Sequence, residues 1–186
     1  MVWLLVIVVV VLLIAVGALA LRQRRSAQLR EGFGPEYDRV VSQRGDQRTA
    51  EAELRERRER RRSYDIRPLE PAARERYAER WRATQAQFVD QPASALSDAD
   101  SLLTEVMRER GYPVEDFETQ AADVSVDHPD VVEHYRKAHA IQSKRSASTE
   151  DLRQAMVHYR ALFAELLEAP EDDSETTRSE RIEEVS

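Results

Sequence analysis

Residues 148–170, STEDLRQAMVHYRALFAELLEAP, contain the clearest helical pattern of the chain. Apolar side chains recur there at three- and four-residue intervals, which places them on one side of an α-helix. They are Leu152, Ala155, Met156, Tyr159, Leu162, Phe163, Leu166 and Leu167. Ser148 and Asp151 have the spacing of a capping box, and Pro170 is expected to stop the helix. Because one continuous apolar side needs other helices to cover it, the sequence predicts a helical bundle.

The region before this helix repeats the same pattern in shorter pieces. Helical spacing of apolar residues is visible at 71–89 and 92–110, and Gly111 is a favoured helix C-terminal cap. Segment 114–126 suits a helix and a loop equally well. Asp127-His128-Pro129 has the pattern of a cap followed by a proline at a helix start. With no strand-like run in this region, we predict an all-α fold.

Residues 22–65 are rich in charge and poor in apolar side chains. Gly34-Pro35 predicts a turn, and a helical pattern continues from there to about Arg62. Glutamate precedes arginine by four residues in three pairs, each worth about 0.2–0.5 kcal/mol in an isolated helix. The pairs are Glu51 with Arg55, Glu53 with Arg57 and Glu56 with Arg60. We therefore expect a charged helical stalk that can stay helical without packing.

The arginines at 55–62 raise the question of nucleic-acid binding. Glutamates are interleaved with them, and no aromatic residue stands among them for base stacking. A solvated stalk accounts for the same residues without a ligand. Nucleic acid is therefore not an expected partner.

Residues 2–21, VWLLVIVVVVLLIAVGALAL, carry no charge. A helix of this length spans about 30 Å, which is the thickness of the hydrocarbon core of a bilayer. Trp3 suits one membrane interface, and the basic residues Arg22, Arg24 and Arg25 suit the other. The sequence therefore predicts a transmembrane helix.

The basic residues also predict an orientation in the cell membrane. No Lys or Arg precedes the apolar residues and several arginines follow, so the positive-inside rule places the N-terminus outside and the C-terminal region in the cytoplasm. Ala18-Leu19-Ala20 resembles a cleavage site, and an exported helical protein after signal-peptide cleavage is the competing interpretation. The missing basic n-region and the long apolar run favour an uncleaved anchor.

Overall composition excludes several classes of site. The chain has 186 residues, a formal net charge of −7 at pH 7 and no cysteine, so disulfides, thiolate nucleophiles and cysteine-ligated zinc are excluded. The charge is basic just after the apolar segment and acidic at 171–186, where we expect a disordered tail.

Three aromatic residues stand at helical spacing in 71–89 and form a candidate partner-binding stripe: Tyr77, Trp81 and Phe88. Internal packing is the favoured interpretation of this stripe, because the chain has few aliphatic residues with which to build a core.

Histidines suggest the one enzymatic alternative, a metal-dependent site. It would use His128 and His139 with three neighbouring carboxylates, Asp123, Asp127 and Asp130. The spacing of the histidines does not place two ligands on one helical face, as the i,i+4 pair of a zincin helix does. We therefore predict no metal site and no catalytic residue.

Short motifs along the chain carry a family resemblance. They are FGPEYDR at 33–39, IRPL at 66–69, RYAERW at 76–81, FVD at 88–90, RGYP at 110–113, VDHPDVV at 126–132 and TEDLRQAMVHYR at 149–160. Through them the chain resembles a family of bacterial, mainly actinobacterial, proteins with one N-terminal membrane helix. The resemblance implies bacterial origin and membrane attachment. The family has no established function, so no ligand, cofactor or catalytic residue is carried over.

These observations together predict a single-pass membrane protein of the all-α class. Its expected parts are a transmembrane helix at 1–21, a basic juxtamembrane segment and charged helical stalk at 22–65, a small cytoplasmic helical bundle at 66–170 and a disordered acidic tail at 171–186. The expected partners are the lipid bilayer and either another protein or a second copy of the chain. We expect an interaction or scaffold role without catalysis, with no cofactor and no small-molecule ligand.

Overall fold

The computed structural model describes residues 2–144 and 146–168, without the side chains at 2, 4, 5, 7–11, 15 and 18. Within these limits the chain folds into α-helices joined by short turns, so the all-α prediction is confirmed. The helices are α1 (Val2–Phe33), α2 (Pro35–Arg44), α3 (Gln47–Arg62), α4 (Pro71–Gln87), α5 (Pro92–Arg110), α6 (Phe117–Asp127), α7 (Val132–Gln142) and α8 (Thr149–Leu167). The predicted acidic tail at 171–186 lies outside the described residues.

Helix α1 joins the apolar residues and the arginines that follow them in one element. Its 32 residues span about 48 Å at 1.5 Å per residue. The far end of the helix, at Leu29 and Phe33, is buried against other helices. In the part of the chain that the structure describes, no helix meets the length and apolarity expected of a membrane span. Several side chains of the segment 1–21 are not described, and its role as a transmembrane helix stays a prediction.

Helices α2 and α3 form an antiparallel hairpin where a continuous helix was expected from Glu36 to Arg62. Gly45 ends α2 with φ of 68°, a backbone conformation that favours glycine. Asp46 then caps α3 by accepting a hydrogen bond of 2.9 Å from the Thr49 N–H. These two residues reverse the chain direction, so the predicted single helix is wrong.

A first hydrophobic core lies between the end of α1 and this hairpin. Its buried residues are Leu29, Phe33, Tyr37, Val40, Ala50 and Leu54. Burial of Val40, Ala50 and Leu54 shows that the few apolar residues of this charged region share one side of the hairpin. The hairpin is held by packing as well as by pairs of charges.

A second, larger core is formed by α4 to α8, with α8 packed against both α5 and α7. The apolar stripe of α8 faces inward, as its spacing predicts. The capping box of Ser148 and Asp151 is present, and Gly111 ends α5 with φ of 98°. A Cβ at Gly111 would lie 2.2 Å from the Asp65 backbone oxygen, so glycine is required there.

The expected helix start at Asp127-His128-Pro129 is wrong. Asp127 is the last residue of α6, and α7 begins only at Val132. The Asp127 carboxylate accepts a hydrogen bond of 2.5 Å from the Tyr112 hydroxyl and pairs with Arg61. The carboxylate that was predicted to cap the next helix therefore interacts with Tyr112 and Arg61 instead.

The structure differs from the predicted free-standing stalk, because α3 packs along α6. Arg60 donates a hydrogen bond of 3.0 Å to the fully buried Asp123 carboxylate, and Arg57 donates one of 3.3 Å to the Ser125 hydroxyl. The arginines expected to face water therefore join the hairpin to the bundle. The two cores are neighbours within one helical assembly.

Candidate functional site

Four arginines line a groove between α1 and α3, directly after the apolar part of α1. Arg22 and Arg25 belong to α1, and Arg55 and Arg58 belong to α3. The groove has a volume of about 620 Å³ and is also lined by Leu21, Gln28 and Leu29. We call it the arginine groove. It contains no acidic side chain among the residues that line it.

Helical spacing explains why these arginines face one another. Residues three apart lie on the same face of a helix, and each helix supplies two arginines at that spacing. Leu29 of α1 and Leu54 of α3 are both buried in the first core, which brings the two arginine-bearing faces together. The groove is thus a consequence of how the hairpin packs on α1.

Gly32 and Phe33 position the guanidinium of Arg58. Its central carbon lies 5.3 Å from the centre of the Phe33 ring, a distance typical of a cation–π contact. A Cβ at Gly32 would lie 2.7 Å from the Arg58 Nη2 atom. The missing side chain at this position lets Arg58 lie directly against α1.

The groove brings several arginines without an ion pair close together. Elsewhere in the described structure many arginines are paired with carboxylates. Such pairs include Arg44 with Glu53, Arg76 with Glu109, Arg80 with Glu105 and Arg153 with Glu150. In the groove Arg55 is paired with Glu51 at 3.0 Å. Arg22, Arg25 and Arg58 have no ion pair with any described residue. The groove therefore has unneutralised positive charge.

The residues predicted to lie at a membrane interface are all exposed. Trp3 is 82% exposed, and Arg22, Arg24 and Arg25 are exposed as well. Two of them, Arg22 and Arg25, line the groove, whereas Arg24 does not. Sequence reasoning missed Arg55 and Arg58, which it assigned to a solvated stalk.

A second cluster of charge centres on Glu36 of α2, whose side chain is 1% exposed. Arg136 of α7 holds this carboxylate with two hydrogen bonds, of 2.7 and 2.9 Å. Arg57 of α3 donates a third, of 2.7 Å, and Arg39 donates a weaker one of 3.3 Å. Three helices are therefore tied together at one buried carboxylate.

Burial lowers the pKa of the Arg136 guanidinium, and the hydrogen bonds to Glu36 oppose this shift. The side chain of Arg136 is 11% exposed and that of Arg57 is 8% exposed. Positive charges removed from water to this extent need a carboxylate partner. We infer that the Glu36 cluster stabilises the junction between the hairpin and the bundle.

The aromatic stripe is divided between core and surface. Tyr77 and Trp81 are buried, and the Trp81 ring stacks on Phe163 with 4.4 Å between ring centres. The Tyr77 hydroxyl donates a hydrogen bond of 2.6 Å to Glu109 at the edge of the core. Phe88 is half-buried and packs against the same core. The rings of Tyr77 and Trp81 are therefore not presented to a partner in this structure.

The histidines of the metal alternative have separate partners. His128 Nδ1 lies 2.9 Å from a Glu165 oxygen, and His139 stacks on the Phe117 ring. No group of three or more metal-binding side chains occurs in the described part of the chain. Of the proposed carboxylate ligands, Asp123 and Asp127 pair with arginines, and Asp130 is exposed.

The two remaining histidines form a close pair, with 2.8 Å between the Nδ1 atoms of His134 and His158. Partial burial, and then the nearby His134, lowers the pKa of His158. Sequence reasoning did not single out this pair, because its members lie on different helices.

No family model, curated protein or solved structure matches the chain. The family resemblance of the short motifs stays a prediction.

Proposed function

We propose that the protein is anchored in the cell membrane by the apolar part of α1 and that its helical region lies on the cytoplasmic side. The observation that carries this proposal is the unpartnered apolar surface of α1. Leu12, Leu13, Ile14 and Val16 are each more than half exposed. A helix that is apolar on all sides is typical of a buried or membrane-spanning element. The arginines that follow support the cytoplasmic orientation through the positive-inside rule.

We further propose that the anchored helices act by binding another protein or a second copy of the chain. The proposal does not depend on the aromatic stripe, since two of its rings are in the core. Crosslinking of the full chain in native membranes is expected to give adducts heavier than the 21.4 kDa chain. Recovery of the uncrosslinked chain alone, at all crosslinker lengths, would speak against an interaction role.

Alkaline carbonate extraction of cell membranes tests the anchor. The full chain is expected to stay in the membrane pellet, and the variant Leu13→Arg with Ile14→Arg is expected to move largely to the supernatant. Each arginine near the centre of a membrane helix costs about 2.5–3.5 kcal/mol.

The matched control is Val89→Arg with Val157→Arg, which places the same two charges at exposed apolar positions outside α1. This control is expected to stay in the pellet. Extraction of the unmodified chain would contradict the anchor. Recovery of a shorter chain that begins after Ala20 would favour the exported protein instead.

A further inference from the structure

The arginine groove lies at the level where lipid headgroups would meet α1. Its lining begins at Leu21, the last residue of the uncharged run, and extends along α1 to Leu29. The nine residues from Leu21 to Leu29 extend about 12 Å along α1, which is enough to pass through one headgroup layer of about 5–8 Å. If α1 crosses the bilayer as proposed above, the groove faces the phosphates of the cytoplasmic leaflet.

The chemistry of the groove suits a phosphate group. A guanidinium presents N–H donors in a planar fork that matches two oxygens of a phosphate. Three of the four arginines have no acidic partner among the described residues, so their donors are available to a ligand. The exposed side chain of Leu21 provides an apolar wall for the less polar part of a lipid.

Preorganisation distinguishes the groove from a diffuse basic surface. Arg58 is half-buried and is held by the Phe33 ring and by the gap at Gly32. Arg55 is held by Glu51 at 3.0 Å. The Arg58 guanidinium is therefore positioned by packing before any ligand arrives, which reduces the entropy lost on binding.

We propose that the arginine groove binds the phosphate of an anionic phospholipid headgroup. This inference rests on the proposed membrane anchor and names the lipid class that the anchored protein selects. Juxtamembrane arginines attract anionic lipids in general. The groove provides in addition a defined binding site for one headgroup.

Native mass spectrometry of the full chain, released from detergent micelles that contain equal amounts of phosphatidylglycerol and phosphatidylcholine, tests the proposal. We expect the chain to retain phosphatidylglycerol roughly tenfold more than phosphatidylcholine. Arg55→Gln with Arg58→Gln is expected to reduce this preference to less than about twofold. Arg22→Gln with Arg25→Gln should have the same effect. Because these two positions of α1 are exposed, this second variant still tests the proposal if the first one fails to fold.

Two further variants separate a built site from general attraction. Gly32→Ala changes no charge but displaces Arg58, and it should lower the preference to an intermediate value. Arg82→Gln with Arg160→Gln removes two exposed arginines far along the chain from the groove and should leave the preference unchanged. An equal loss in this control and in the groove variants would overturn the proposal.

Other outcomes would also overturn it. They are equal retention of both lipids by the unmodified chain, and full displacement of phosphatidylglycerol by millimolar inorganic phosphate, which would indicate a site for the free ion. Failure of this inference is separate from failure of the anchor. A chain that resists carbonate extraction but retains both lipids equally leaves the proposed anchor intact and removes only the headgroup site.

Discussion

Replacing Glu36 with glutamine is expected to lower the free energy of unfolding by about 3–5 kcal/mol, because it leaves buried arginines without their counter-charge. The Glu36 carboxylate accepts hydrogen bonds from Arg57, Arg136 and Arg39, and the first two are the most buried of the three. Glutamine preserves the shape of the side chain, removes the charge and replaces one acceptor oxygen with an N–H donor that faces the arginines. Urea unfolding of the full chain in mild detergent, monitored by circular dichroism, measures the change in the free energy of unfolding.

Two matched variants make the Glu36 result interpretable. Glu59→Gln breaks an exposed pair with Arg62 and is expected to cost less than about 1 kcal/mol. Adding Arg136→Met to Glu36→Gln removes one unpaired buried charge and should restore part of the lost stability, while Arg57 keeps its pairing with Glu53. An effect of Glu36→Gln as small as that of Glu59→Gln would contradict a buried cluster.

Replacing Trp81 with alanine is expected to destabilise the protein by about 3–5 kcal/mol, the cost typical of removing a large buried aromatic ring. The ring stacks on Phe163 of α8, with 16° between the ring planes, so its loss opens a cavity between α4 and α8. Thermal or urea unfolding measures this change.

Val89→Ala is the control for Trp81→Ala, because Val89 is 82% exposed. It should change stability by less than about 0.5 kcal/mol. Phe88→Ala, at a half-buried position, should fall between the two. If Trp81→Ala left stability unchanged but abolished crosslinking to a partner, the aromatic stripe would be an interface and the packing described here would be wrong.

Local patterns made much of the bundle predictable. The stripe of α8, its capping box and the glycine cap of α5 depend on residues within a few positions of one another, and all three are present. The hairpin of α2 and α3 escaped prediction because its break rests on only two residues, Gly45 and Asp46. The residues on both sides of this break are mostly charged, so the few apolar positions that pack in the first core did not form a recognisable pattern.

The charged sites depend on contacts that no local pattern encodes. Glu36 and Arg136 lie 100 residues apart in sequence and meet only because α7 packs beside the hairpin. The arginine groove likewise needs α3 to fold back onto α1. The three-residue spacing of Arg55 and Arg58 was visible, but the glutamates around them favoured a solvated interpretation.

Labelling of single cysteines in intact cells tests the membrane anchor and its orientation most directly, because the native chain contains no cysteine. Trp3→Cys should react with a membrane-impermeant maleimide in intact cells, whereas the exposed Ser97→Cys should react only after the membrane is permeabilised. Labelling of Ser97→Cys in intact cells would contradict the cytoplasmic placement. Recovery of either labelled chain in the carbonate supernatant would contradict the anchor itself.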